Sequence, residues 1–287
     1  SSDVCSSDLV PINRVTRIKE TLGGAANVAH NLALLGCRTS IIAQIGSDVH
    51  GGTLTRKLNS RGIDTAGTVR TAKPTTTKIR VISGTQQMLR LDFEDTAETG
   101  ADEILANVIA RLDDFDAVII SDYGKGVCSE KVCAEIIRVS REKNKIVVVD
   151  PKGDDWQKYS GANFITPNLK ELNAVLPKKI SNVDSEVEKA ARGVIAEFSL
   201  EGLVVTRSAE GLTLIDGGKI SHVRAKAQEV FDVSGAGDTV IAVFALGLAG
   251  KLDSKLAAEL ANAAAGVVVA KVGTYAVSRE ELLEVLK

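Results

Sequence analysis

Ile146-Val147-Val148-Val149 constrains this 287-residue chain more than any other stretch. Four β-branched residues without polar alternation describe a strand buried on both faces, which belongs in a parallel sheet covered by helices on both sides. Its surroundings agree: a helix running to Leu112, a strand over Ala117 to Ser121 and a helix from Ser129 to Lys143 precede it. After it, Phe164-Ile165 runs into a helix, and Leu203 to Thr206 is a further buried strand. Leu212 to Ile215 and Ile220 to Val223, joined by Asp216-Gly217-Gly218-Lys219, form a hairpin. The buried strands end in polar residues: Asp122-Tyr123-Gly124-Lys125-Gly126, Asp150-Pro151-Lys152-Gly153 and Thr166-Pro167-Asn168. In open α/β sheets ligands bind beyond the carboxyl ends of strands, so these ends are expected to meet at one crevice.

Near the other end lies Val230-Phe231-Asp232-Val233-Ser234-Gly235-Ala236-Gly237-Asp238-Thr239, followed by the apolar run Val240 to Leu248. Gly235 and Gly237 leave their backbone unshielded, so successive N–H groups can converge on one anion, and the helix beginning there adds its positive end. A helix cap would account for Asp238 alone. An anion nest with a carboxylate beside it is the layout for passing a phosphoryl group to a hydroxyl.

Three further segments admit two readings each. Gly23-Gly24 opens a helix through Leu35; a tight turn explains the glycines, and so does close approach of a polyol to backbone amides beside Asn27. Gly46-Ser47-Asp48-Val49-His50-Gly51 follows a short strand over Ser40 to Ile45 and serves as a turn before a helix over Thr53 to Arg61. Thr75 to Ser83 and Gln86 to Phe93 alternate sharply about Gly84-Thr85, a hairpin with Lys78, Arg80, Arg90 and Asp92 on one face. Such charges are most simply solvated surface, yet three cations on one face also suit a substrate that already bears a phosphate.

Gly23-Gly24-Ala25-Ala26-Asn27-Val28-Ala29 and Asp232 to Thr239, in this order and at this separation, resemble the two signatures of the ribokinase-like (PfkB) carbohydrate kinases. The resemblance implies a three-layer α/β/α sandwich with a mostly parallel central sheet and a small β lid. It implies ATP and Mg2+ as cofactors, with Gly235, Ala236 and Gly237 holding the transferring phosphate and Asp238 taking the proton from the sugar hydroxyl. Gly23, Gly24, Asn27 and Asp48 would serve the sugar. Asn168 and Glu171, an N-x-x-E pair that also makes a sound helix start, would position magnesium largely through water, with Leu169 and Lys170 beside the nucleotide. Thr206, Ser208 and Gly211 would lie along the nucleotide, and Asn262 and Gly273 would line the adenine pocket. The family usually has glycine at position 208, where this chain has serine.

The lid narrows the resemblance. Thr77-Lys78-Ile79-Arg80-Val81-Ile82-Ser83, then Gln86-Gln87 and Arg90-Leu91-Asp92-Phe93-Glu94, with the runs at Asp122 and Asp150, is similar to the heptose 7-phosphate kinases of lipopolysaccharide core synthesis. That implies phosphorylation of D-glycero-D-manno-heptose 7-phosphate at its anomeric hydroxyl, on the way to ADP-heptose. Lys78, Arg80 and Arg90 become candidates for the sugar phosphate, and Asp122 and Lys152 for the substrate side of the crevice.

Ser1 to Leu9 form a near-tandem repeat that resembles translated sequencing-adapter DNA, and are set aside from the fold. Residues 10–287 are then the kinase domain, with lid strands within about 10–21, where Val10, Ile12, Val15 and Ile18 alternate, and 75–94. The family's opening strand, with its sugar-binding aspartate, is not found, so the front is expected to be truncated. Two alternatives therefore stand: another kinase of this fold acting on an unphosphorylated sugar or nucleoside, or a non-catalytic ATP- or sugar-binding protein.

Composition closes other routes. A formal net charge of −2 and 3% aromatic residues leave neither an electrostatic footprint nor a stacking platform for nucleic acid. Val240 to Gly250 is too short to cross a bilayer, so no membrane partner is expected. Neither G-x-G-x-x-G near the front nor a Walker G-x-x-x-x-G-K-[ST] occurs. Cys5, Cys37, Cys128 and Cys133 lack CxxC spacing and His30, His50 and His222 are scattered, which suits reduced thiols of the cytoplasm and no histidine metal site. The oligomeric state is left open, a homodimer included.

Overall fold

A computed structural model describes residues 14–84, 86–225 and 229–287. The chain runs through α1 (Ala25–Leu34), β1 (Gln44–Gly46), α2 (Val49–Asn59), β2 (Val69–Thr71), β3 (Thr77–Ser83), β4 (Gln86–Phe93), α3 (Ala101–Arg111), β5 (Ala117–Ser121) and α4 (Glu130–Glu142). It continues through β6 (Ile146–Asp150), β7 (Phe164–Ile165), α5 (Leu169–Val175), α6 (Asp184–Glu197), β8 (Gly202–Thr206), β9 (Leu212–Asp216) and β10 (Lys219–Val223). α7 (Ala236–Ala249), α8 (Ser254–Val269) and α9 (Arg279–Val285) complete it.

Six strands form the central sheet in the order β10-β9-β8-β7-β6-β5. β5 through β8 are parallel, and the expected hairpin β9–β10 adds two antiparallel strands at one side. The run at 146–149 behaves as its composition demands. Val147 and Val149 pack with α3, α4, α6 and the buried Trp156, whereas Val148 packs with α1, α7 and α8. Helices therefore cover both faces, in three α/β/α layers. Each such buried Val, Ile or Phe contributes roughly 1.5–3 kcal/mol relative to exposure.

α7 is buried on nearly every side, from Thr239 through Ala245, which is why its sequence carries no polar stripe. Phe244 meets Phe164 of β7 edge to face, with centroids 5.1 Å apart. Its partner α8 presents the fully buried Ala257, Ala258, Ala261 and Ala264, so the small residues serve close packing. At Gly247 an added Cβ would stand 2.7 Å from Ala257 Cβ.

β3 and β4 make a separate two-stranded antiparallel ribbon with a bulge between Val81 and Ile82. The register pairs Lys78 with Asp92 and Arg80 with Arg90, so one face is charged as anticipated. The other face carries Ile79, Val81, Leu89, Leu91 and Phe93, of which Ile79, Leu89, Leu91 and Phe93 are exposed.

Three expectations need correction, and one helix was not foreseen. Residues 14–21 form no strand: all of them are exposed and no neighbouring strand offers a ladder of partners; residues 1–13, with the repeat and the start of that expected strand, lie outside the described residues. α2 begins at Val49 rather than Thr53 because Asp48 caps it, accepting from Gly51 N at 2.7 Å. The strand expected over 40–45 is reduced to a bridge between Ser40 and Asp64 and to β1. α6 has no counterpart in the sequence reading; its polar residues outnumber an apolar stripe limited to Val187, Ala191 and Val194.

Candidate active site

The carboxyl ends of β5 to β8, the first turn of α7, residues 22–26 and the ribbon β3–β4 line one cavity. At its centre is the start of α7. Gly235 caps the helix with φ 86°, and a Cβ there would stand 2.9 Å from Asn27 Nδ2. The position thus requires glycine for both its backbone conformation and its neighbour. Asp238 follows in the first turn and is buried.

Two donors hold the Asp238 carboxylate. Asn27 Nδ2 donates to Oδ2 at 2.8 Å, and the Tyr123 hydroxyl donates to Oδ1. Burial pushes the Asp238 carboxyl above its ordinary range, and the Tyr123 and Asn27 hydrogen bonds pull it back. Asn31 fixes the geometry behind them: its Nδ2 donates to Asn27 O at 2.9 Å, while its Oδ1 accepts from Thr239 Oγ1 at 3.2 Å and Val277 N at 3.1 Å. One buried amide therefore ties α1, α7 and the segment before α9 together.

At the end of β5, Asp122 is fully engaged. It accepts from Gly124 N at 2.7 Å, Lys158 Nζ at 2.7 Å and the Tyr159 hydroxyl at 2.6 Å. Its task in this geometry is to hold the turn that carries Tyr123. At the end of β6, burial and then the charges of Glu171 and Asp238 push the Asp150 carboxyl well above its ordinary value, against the pull of Lys152. Glu171 sits in a capping box: Asn168 Oδ1 accepts from Glu171 N at 2.9 Å, and Glu171 Oε2 accepts from Asn168 N at 3.0 Å. Its other oxygen pairs with Lys152 Nζ at 3.4 Å. Glu171 and Asp238 both act on Asp150 through their charge, yet no group of three or more such side chains among the described residues is arranged to hold a metal ion. Asn168 and Glu171 offer one amide and one carboxylate, enough for a magnesium ion that keeps most of its water.

On the side expected to take the nucleotide, Thr206, Ser208, Gly211 and Asn262 line the cavity, as do Leu169 and Lys170. Ser208 has φ 54°, a left-handed conformation that favours glycine and accounts physically for the family's usual residue there. The loop is pinned by the buried Arg207, which donates to Asn182 Oδ1 at 2.7 Å, Asp184 Oδ1 at 2.5 Å and Thr213 Oγ1 at 3.0 Å.

Above the cavity, acids on and beside the ribbon neutralise most lid cations. Lys78 Nζ pairs with Asp92 at 3.1 Å and Glu94 at 2.9 Å, Lys125 Nζ pairs with Glu94 at 2.7 Å, and Arg90 Nε pairs with Asp92 at 3.1 Å. Arg80 has no ion pair among the described residues and lines the cavity. It stands directly opposite Arg90, an unfavourable juxtaposition that an anion between them would relieve.

Of the residues singled out from sequence, Gly23, Gly24, Lys78, Arg80, Asp122, Asn168, Glu171, Gly235, Ala236, Gly237 and Asp238 share the cavity wall with the nucleotide-side group above. Five stand off it. Asn27 is buried and turned to Asp238. Asp48 is consumed by Gly51 N and by Thr75 N and Oγ1, which hold its carboxyl down to about 2. Arg90 and Lys152 are occupied by Asp92 and Glu171. Gly273 N donates to Asp232 Oδ2 at 3.0 Å instead of facing the cavity. Tyr123, Asp150, Asn31 and Arg207 were not singled out. The first two stand inside quoted runs, but no spacing rule links them to a carboxylate far along the chain.

Comparison with known proteins agrees with this geometry. Residues 4–281 match the pfkB family carbohydrate kinase model. The chain is 44% identical over 280 residues to the bifunctional protein HldE of Shewanella amazonensis, covering 97% of this chain and 58% of the relative. It is 43% identical over 279 residues to the bifunctional protein HldE of Geobacter sulfurreducens, covering 96% and 57%. The chain thus spans little more than half the length of these curated relatives. Among solved structures, phosphofructokinase-2 from Escherichia coli in complex with potassium superposes with a TM-score of 0.78 at 20% identity, over 96% of this chain and 92% of that one. The three-layer sandwich is ribokinase-like, and the chain belongs to the pfkB family of carbohydrate kinases.

Proposed function

We propose that this chain transfers the terminal phosphoryl group of ATP to the anomeric hydroxyl of D-glycero-D-manno-heptose 7-phosphate, giving heptose 1,7-bisphosphate for ADP-heptose and lipopolysaccharide core synthesis. The carrying observation is the buried Asp238, oriented by Asn27 and Tyr123 directly beside the glycine nest at the start of α7. ATP would lie along the ends of β7 and β8, with its transferring phosphate over Gly235-Ala236-Gly237, where the Ala236 N–H now donating to Val233 O at 3.2 Å would turn to it. Asp238 accepts the hydroxyl proton as that oxygen bonds to phosphorus; the bond to the bridging oxygen breaks, and ADP leaves with the electron pair. Asn168 and Glu171, with Asp150 beside them, would hold Mg2+, which supplies charge neutralisation along the phosphates.

Substrate class rests on the lid. Its spelling resembles the heptose 7-phosphate kinases, and four cations (Lys78, Arg80, Arg90 and Lys125) face two carboxylates, Asp92 and Glu94. The surplus of positive charge suits a sugar phosphate, with Arg80 as its first partner. Dependence on ATP makes the cytoplasm the setting. A homodimer would cover the exposed apolar face of the ribbon, since a two-stranded ribbon cannot sustain such a face alone.

A coupled ADP-release assay with Mg-ATP, offering heptose 7-phosphate beside ribose and fructose 6-phosphate, tests the reading. Turnover of heptose 7-phosphate in clear preference is expected. Preference for ribose or fructose 6-phosphate would replace the substrate, and ATP binding without turnover of any sugar would favour a binding role.

A further inference from the structure

The geometry points to Tyr123 as the positioning residue of the base: its hydroxyl aims and polarises the Asp238 carboxylate toward the sugar hydroxyl. This rests on the kinase reading above for its consequence in turnover, and on geometry alone for its hold on Asp238. The two residues are 115 positions apart, and the hydroxyl donates to Oδ1 while Asn27 occupies Oδ2. Each carboxylate oxygen has two lone pairs, so a donor on each still leaves acceptor sites for the substrate proton.

Tyr123 is partly open to solvent, and its support comes from its own turn and from the contact of its ring. Beneath it, Asp122 is clamped by Gly124 N, Lys158 and Tyr159, and the backbone N–H of Asp122 donates to Asp150 O at 3.1 Å. Beside it, the ring lies against Gly24, where an added Cβ would be 3.3 Å from Tyr123 Cε2. Gly24 thereby acquires a second reason to be glycine: it admits the ring that reaches the base. With one donor on each oxygen, from Tyr123 and from Asn27, the carboxylate is held in one direction before substrate binds.

The hydroxyl also opposes the effect of burial. Burial favours the protonated acid, which cannot act as a base, while a donor to the carboxylate favours the ionised form. Removing the hydroxyl should therefore raise the pH at which Asp238 ionises. The other groups to be kept apart from this titration are Asp150 at the end of β6, on which the charge of Asp238 acts, with those of Glu171, Lys152 and Asp122. On α1 the facing groups are the neutral Asn27 and Asn31.

The test is Tyr123→Phe, which keeps the ring against Gly24. Carboxyl-labelled aspartate is followed by NMR across pH, with the Asp238 signal assigned by Asp238→Asn and the Asp150 signal by Asp150→Asn. In Tyr123→Phe the Asp238 signal should titrate at higher pH than in the parent. The acid limb of kcat/KM for the phosphosugar should rise in step, kcat at neutral pH should fall roughly ten-fold, and KM for ATP should stay unchanged. A merely structural role would lower the melting temperature and activity without moving either pH curve. Unmoved Asp238 titration in a folded Tyr123→Phe overturns the inference. If the parent turns over no sugar phosphate, the kinase reading fails, while the NMR titration still decides whether Tyr123 governs Asp238.

Discussion

Asp238 is caught between burial, which favours its acid form, and two hydrogen bonds, which favour the carboxylate. Only the ionised form can take a proton, so Asp238→Asn should lower turnover by roughly a hundred- to ten-thousand-fold. ATP affinity, measured by calorimetry, should be nearly unchanged, because the glycine nest and the 206–211 loop are left intact. Asp48 illustrates the opposite outcome for an aspartate that sequence had assigned to sugar. Its carboxyl is lowered from 3.8 to about 2 by Thr75 N first, then Gly51 N and Thr75 Oγ1. A depressed folded pKa contributes stability that is present above the unfolded value and is lost as pH falls through the folded one. Parent should therefore exceed Asp48→Asn in denaturant stability at pH 5, and the gap should narrow between pH 4 and pH 2. A gap constant across that range would show that the Asp48 hydrogen bonds matter for shape alone.

At the scale of elements, the site depends on how closely α7 is approached from both flanks. α1 delivers Asn27 and Asn31 to its first turn, and α8 presses alanines against its middle. Gly247 is the narrowest point, with Ala257 Cβ 2.7 Å from where its own Cβ would stand. Gly247→Val should cost about 1–3 kcal/mol by overpacking, read as a lowered midpoint in urea. Because the contact lies far along the helix from Asp238, the folded fraction should keep near-parental KM values. The apolar run of α7 was legible in the sequence. The exact start of α2 was not, since it depended on whether Asp48 would cap the helix, and the cap is completed by Thr75 from a distant segment.

The whole molecule adds a ribbon with two dissimilar faces. One face carries the Lys78–Glu94–Lys125 ion pairs. Lys78 and Arg80 from that face and Ile79 and Val81 from the other reach the cavity, while Leu89, Leu91 and Phe93 of β4 are left exposed. Association of two chains through the apolar face predicts a concentration-dependent dimer in sedimentation velocity. Leu91→Glu, which sets a charge in the middle of the apolar face, should shift it to monomer without altering the Asp238 site. A monomeric parent at micromolar concentration would remove the dimer reading.

Burial on both faces erases polar alternation, so the strands at 117–121, 146–150 and 202–206 and the layers about them were written in the sequence itself. The glycine nest and its aspartate were equally visible, because a phosphate site at a helix start needs residues adjacent in the chain. What surrounds that aspartate was not. Asn27 and Asp238 are separated by 211 positions, Tyr123 and Asp238 by 115, and each pair meets only after the sheet has brought β5 beside the helices on its face. Which lid cation keeps its charge free was likewise a tertiary matter: Lys78, Arg80 and Arg90 are equivalent in composition, and only the register and the reach of Asp92 and Glu94 distinguish them. Local pattern determines what is buried and where the chain turns; hydrogen bonds and ion pairs between distant side chains are decided by packing, because a donor's partner depends on what the fold sets within about 3 Å of it.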